Sequence, residues 1–152
     1  MKTSCFSNFS GPGRIAISKS VPDHLRGRVK LFRELIPTSW IKITDSPIIY
    51  REKYLQQLSR LDPAETWDVL HGMVKGHEPI LLCYEEPPFD ESNFCHRHMV
   101  AEWFENELGV TVPEWGAPKE NSSMANAHPT MQIQFLTKFY NSSRARTIGS
   151  SI

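Results

Sequence analysis

Four apolar residues, Ile80 to Cys83, stand between Pro79 and a loop that carries Glu85, Glu86 and the Pro87-Pro88 pair. Proline lacks a backbone N–H and fixes φ, so the pair continues neither strand nor helix, and a short apolar run closed in this way reads as a buried strand. Beyond the loop, Met99, Val100, Trp103, Phe104 and Leu108 recur at helical spacing, and Gly109 supplies a left-handed stop. Val110 to Val112 read as a further strand. Strand, helix and strand in this order predict a right-handed crossover between parallel strands, from Ile80 to Val112.

The rest of the chain fits the same class. Arg14 to Ser18 reads as a core strand after the turn signal Ser10-Gly-Pro-Gly13. Residues 22 to 47, broken by Pro22, Gly27, Pro37 and Pro47, read as irregular connections with short helical pieces, a kind of segment that often serves a function or forms a lid. From Ile48 the pattern is helical, with Tyr50, Tyr54, Leu58 and Leu61 on one face. A second helix starts at Asp62, with Pro63 at its first turn and Glu65 completing a capping box, and its inner stripe is Trp67, Leu70, Met73 and Val74, ending at Gly76. Together these elements predict a single small α/β domain, Rossmann-like with a mostly parallel sheet, over residues 1 to 116. Residues 117 to 152, polar apart from Met131 to Leu136, predict an irregular, partly disordered C-terminal extension in which that apolar stretch could add an edge strand.

The 152 residues include 39% hydrophobic types, enough for one domain with a core. No apolar stretch approaches the twenty or so residues that span a bilayer, so no membrane span is expected. The first residues lack the apolar core of a signal peptide, and the cysteine count of three is odd, so a cytoplasmic location with reduced thiols is expected. Net charge is zero but uneven. Residues 1 to 60 hold 11 Lys and Arg against 4 Asp and Glu, and residues 61 to 120 hold 3 against 13. Arg14, Lys19, Arg26, Arg28, Lys30 and Arg33 form a basic cluster that could attract phosphates or nucleic acid, or simply match the acidic half within the fold. The acidic middle argues against a simple DNA-binding module.

In open α/β sheets, ligands gather where strands end and the next helices begin, because unpaired N–H groups and the helix dipole favour anions there. Cys83, Glu85, Cys95, His96 and Arg97 fall in that zone. Ser18 and Lys19, after the first core strand, could add a hydroxyl and a cation.

The Leu-Leu-Cys-Tyr-Glu-Glu-Pro segment (81 to 87), the Phe-Cys-His-Arg-His-Met-Val-Ala-Glu-Trp stretch (94 to 103), the early Ile-Ala-Ile-Ser-Lys-Ser-Val-Pro stretch and the Leu-Ser-Arg-Leu-Asp-Pro passage resemble the domain-of-unknown-function family 488. The resemblance runs from about residue 10 to about Glu114, and the Cys-Tyr-Glu and Cys-His-Arg combination is its specific part. It implies a small Rossmann-like α/β domain and no established activity. The loop from Pro88 to Asn93 is longer than the family's short form.

Three chemistries compete for the cluster. Cys95, at a helix N-terminus beside His96 and Arg97, could be a thiolate nucleophile, although its spacing to Arg97 is too short for a Cys-five-residues-Arg phosphate loop. Cys83, Cys95, His96 and His98 could bind zinc, but adjacent Cys and His lack the usual ligand spacing and His98 points elsewhere, so no metal is expected. The reading carried forward is a polar pocket in which Arg97 and the helix N-terminus grip an anion, with Cys83, His96, Ser18 and Lys19 as binding residues and Cys95 and Glu85 as catalytic ones. Against all three stands an ion-pair clasp in which Arg97 pairs with Asp90, Glu91 or Glu85 of the acidic loop and so holds strand to helix. The expected function is binding of an anionic small molecule, a nucleotide or nucleic-acid component, with hydrolase or transferase as the enzyme classes that such a site would fit. The alternative is a non-catalytic nucleic-acid or protein interaction module that uses the basic N-terminal segment. The residues name no cofactor and no oligomeric state.

Overall fold

The computed structural model describes residues 1–42, 46–87, 89 and 94–117. Its strands are β1 (Lys2–Cys5), β2 (Arg14–Ala16), β3 (Lys30–Leu31) and β4 (Ile80–Cys83); its helices are α1 (Pro47–Leu58), α2 (Pro63–Met73) and α3 (His96–Leu108). All strand pairings are parallel, in the order β1-β4-β2-β3. The α/β class read from the sequence holds. β4 lies between β1 and β2, which explains its unbroken apolar run: a central parallel strand is covered on both faces, and all four of its residues are buried.

Register places Ile15 beside Leu81 and Cys5 beside Cys83. Side chains alternate across a strand, so odd positions of β4 face one way and even positions the other. Leu81 and Ile15 join Tyr54, Leu70, Val100 and Phe104 in one core that takes apolar side chains from all three helices. Ile80 and Leu82 join Phe9 in a smaller cluster beneath Phe6. The helices therefore cover one face, and the connection after β1 covers the other.

The helices begin and end where local chemistry allows. Asp62 caps α2 by accepting from the Glu65 N–H (2.8 Å), as expected, and Pro63 and Pro47 sit in first turns, where a missing N–H costs nothing. Gly109 ends α3 with φ 65° and donates its N–H to the Glu105 carbonyl. α1 and α2 both pack on α3, which lies against β1 and β4. Tyr54 donates to the Leu35 carbonyl (2.7 Å) and so ties α1 to the irregular 22–42 segment. That segment holds three short 3-10 turns, Asp23–Leu25, Arg33–Leu35 and Ser39–Lys42, together with β3, a strand the sequence did not suggest.

Two further expectations change. β1 has no signal in its residues, since Lys-Thr-Ser-Cys has no apolar pattern, yet Thr3, Ser4 and Cys5 are buried against β4. Val110 to Val112 form no strand. The Val112 N–H donates instead to the Glu105 carboxylate (2.9 Å), and the chain returns to the sheet two residues later through a single parallel bridge between Glu114 and Thr3. The crossover exists, but it closes on Glu114.

Met1–Ala117 forms one compact unit. The extension expected over 117 to 152 lies, from Pro118 onward, outside the described residues, as do the Met131 to Leu136 stretch and most of the Pro88 to Asn93 loop. No helix among the described residues is long and apolar enough to cross a membrane.

Candidate functional site

β4 runs out at Cys83, and α3 begins thirteen residues later with Cys95 in the extended N-cap position and His96 in its first turn. Because α3 lies on the sheet, its start falls over the end of β4. The Sγ atoms of Cys83 and Cys95, a Glu85 carboxylate oxygen and a His96 ring nitrogen all lie within 4.8 Å of one another. Four of the residues singled out in the sequence thus form one cluster. Cys83, Cys95 and His96 are buried and Glu85 is half-buried.

His96 organises the cluster. Its Nε2 lies 2.7 Å from the Ile17 carbonyl oxygen, which can only accept, so Nε2 carries the proton. In the neutral ring Nδ1 then holds the lone pair, and it faces Cys83 Sγ at 3.7 Å and Cys95 Sγ at 4.0 Å. The buried Tyr54 ring packs edge-on against the imidazole at 5.4 Å and fixes its plane. Cys95 Sγ also donates to Glu85 Oε2 at 3.0 Å.

The two thiols do not behave alike. Burial alone would raise both, yet hydrogen bonds from Cys83 and His96, with the charge of His96, bring Cys95 down to about 6. Cys83 goes the other way, held protonated by its hydrogen bond to Cys95 and by burial. One thiol ionises and its neighbour donates to it. Glu85, despite burial, is lowered by hydrogen bonds from Cys83 and Cys95; once Cys95 ionises the second of these is lost and the carboxylate charge acts to raise Cys95, against the pull of Cys83 and His96.

Arg97 is not the open cation that an anion pocket needs. It is fully buried; Nε and Nη2 donate to the two oxygens of Glu114 at 3.2 and 2.8 Å, and Nη1 donates to the Glu85 carbonyl at 2.6 Å. The guanidinium also lies 4.8 Å from the centre of the Phe89 ring. The anion grip expected of Arg97 gives way to a clasp, but not through the Glu85 carboxylate: the counter-charge is Glu114 and the link to the loop is the Glu85 backbone, while Asp90 and Glu91 lie outside the described residues. By holding that carbonyl, Arg97 positions the Glu85 side chain over the thiols.

Glu114 is the residue that the sequence did not reveal. It also receives hydrogen bonds from Thr3 Oγ1 (2.5 Å) and from His98 Nε2 (3.2 Å). Burial would raise it, but His98, Arg97 and Thr3 bring it down to about 2. His98 indeed points away from the thiols, as its helical position required. At the end of β2 the Ser18 hydroxyl donates to the Ser20 carbonyl (2.7 Å), and Lys19 is exposed. What this strand end contributes is the Ile17 carbonyl. No sequence motif marks such a backbone acceptor.

The four clustered groups also have the chemistry of a soft divalent metal site: two thiols, one imidazole with its tautomer set by a backbone carbonyl, and one carboxylate. Glu85 takes the place that spacing had offered to His98. Searches against family models, curated proteins and solved structures found no match to this chain.

Proposed function

We propose that the strand-loop-helix site is the working centre of a cysteine-dependent hydrolase or transferase acting on a small anionic molecule, with Cys95 as nucleophile. The observation that carries this reading is the setting of Cys95: a thiol at the start of a thirteen-residue helix, lowered to about 6 by Cys83 and His96, and so largely ionised at neutral pH. In the first step His96 takes the Cys95 proton through Nδ1, the thiolate forms a bond to an electrophilic centre of the substrate while the bond to the leaving group breaks, and His96 passes that proton to the leaving group. In the second, Glu85 takes a proton from water or from a second acceptor, whose oxygen displaces the Cys95 sulfur, and that proton returns from Glu85 to the Cys95–His96 pair. Cys83 donates a hydrogen bond that keeps the thiolate stable between turnovers. The Cys-Tyr-Glu and Cys-His-Arg segments on which the resemblance to the domain-of-unknown-function family 488 rests are the segments that supply these groups.

The test is the pH dependence of alkylation by iodoacetamide, followed at Cys95 by mass spectrometry. The rate should rise with a midpoint near pH 6, and Cys83→Ser should move that midpoint upward. A midpoint in the ordinary thiol range, about 8 to 9, defeats the nucleophile reading.

A second reading is favoured by the convergence of four ligand atoms within 4.8 Å: Cys83, Glu85, Cys95 and His96 hold a zinc-like ion. Elemental analysis of the purified protein separates the two readings. One equivalent of zinc that is lost in Cys95→Ser assigns the cluster to metal, and a metal-free protein with a reactive Cys95 assigns it to catalysis.

A further inference from the structure

The strands are parallel, so their amino ends gather on the edge of the sheet opposite the thiols. Arg14 opens β2, Lys30 opens β3 and Arg28 precedes it, while Lys75 and His77 belong to the turn that leads into β4. These five basic residues line a single cavity of about 330 Å³. No carboxylate lines it. Arg26 and Lys2 are paired with Asp23 and Glu78, but among the described residues none of Arg14, Arg28, Lys30 or Lys75 takes part in an ion pair. Four permanent positive charges around one cavity repel each other, and a bound anion removes that repulsion.

The cavity is also built to keep its shape. Gly13 has φ 85°, and a Cβ there would lie 2.1 Å from the Glu78 carbonyl oxygen, so only glycine lets the two walls approach. The Ile80 N–H donates to the Gly13 carbonyl (2.9 Å) and closes the seam. Lys75 holds a left-handed backbone, φ 51°, a conformation that disfavours a residue with a Cβ. Met73 and the buried Val74 add an apolar part to the lining.

We propose that this cavity binds a phosphorylated small molecule of nucleotide size. Its phosphates lie among Arg14, Arg28, Lys30 and Lys75, and its less polar body rests on Met73 and Val74 with His77 at the rim. The volume is at the lower end of the roughly 300–1,000 Å³ usual for small-ligand sites. A strand of four residues, about 10 Å long, separates it from the thiol cluster, so it is a second site and does not depend on the chemistry proposed for Cys95.

Titration of the full chain with N-methylanthraniloyl-ADP, read by fluorescence, tests the proposal. Saturable binding is expected, with ADP and pyrophosphate both competing and ADP the stronger. Arg28→Glu combined with Lys30→Glu, both exposed positions, should weaken binding at least tenfold without changing the thermal unfolding curve. Lys53→Glu, an exposed charge reversal on α1, should leave binding unchanged. The proposal is overturned by absence of saturation at millimolar ADP, by equal weakening in Lys53→Glu, or by a single-stranded oligonucleotide that displaces the probe when ADP and pyrophosphate do not. That last result would assign the cations to a nucleic-acid surface.

Discussion

At the carboxyl ends of the strands Arg97 is fully buried and gripped by both oxygens of Glu114, whereas at the amino ends Arg14, Arg28, Lys30 and Lys75 surround a cavity that no carboxylate lines. Both groups of cations belong to one small sheet, but their physical situations are opposite. A buried charge must be matched inside the protein, because its desolvation is otherwise uncompensated. An exposed charge is kept tolerable by water and stays available to a ligand. A cation therefore says little about function until its partner is known. In this chain Arg97, the arginine nearest the conspicuous cysteines, holds the fold in place, and less conspicuous residues carry the open charge.

The sharpest way to break the comparison is at Glu114. Glu114→Gln leaves the guanidinium buried without its counter-charge, and the expected loss is about 3–5 kcal/mol of unfolding free energy in urea. A loss below about 1 kcal/mol would mean that Arg97 finds another partner and that the clasp is not essential. Acid probes the same pair. The folded value of Glu114, about 2, is below its ordinary 4.5, so its contribution is complete above pH 4.5 and disappears as pH falls toward 2. The shift corresponds to about 3 kcal/mol, and the acid-induced loss should shrink by that amount in the Gln variant. The smallest effect belongs to the amino edge. Arg28→Glu and Lys75→Glu, taken singly, should change stability by no more than about 0.5 kcal/mol, with any change toward greater stability as like-charge repulsion falls. A loss of more than about 2 kcal/mol in either would show that these cations have structural partners after all.

Legibility in the sequence followed how local the determinants are. β4, α2 and α3 could be read because an apolar period, a capping aspartate and a terminal glycine act within a few residues of where they stand. Four of the clustered residues could be read because one segment carries them all. β1 could not, since Lys2 to Cys5 look polar and their burial depends on pairing with residues almost eighty positions later. Val110 to Val112 misled because two β-branched residues around a threonine suit a strand, whereas the backbone N–H that a strand would need goes to the Glu105 side chain. Glu114 and the Ile17 carbonyl were invisible for a related reason. Each acquires its role only when distant parts of the chain meet, and neither has a neighbour that signals the meeting. The charge asymmetry was plain in the sequence, but its bland explanation, a basic half matched to an acidic half, fails at the four cations that line the amino-edge cavity.

The position of β4 in the middle of the sheet has a consequence in time. β1 and β2 are made early and are not neighbours; β2 has β3 as an early partner, but the pairing of β1 and the joining of the sheet wait for β4, which begins at Ile80, more than half-way along the 152 residues. Loops of that length must close before the contacts of β4 with β1 and β2 repay them, which makes this a slow-folding topology for its size. The same late strand ends in Cys83. During refolding, the lowered Cys95 thiol should therefore arise together with the sheet and never before it, so that a rapid thiol-trapping pulse reports the moment at which the chain's centre is laid down.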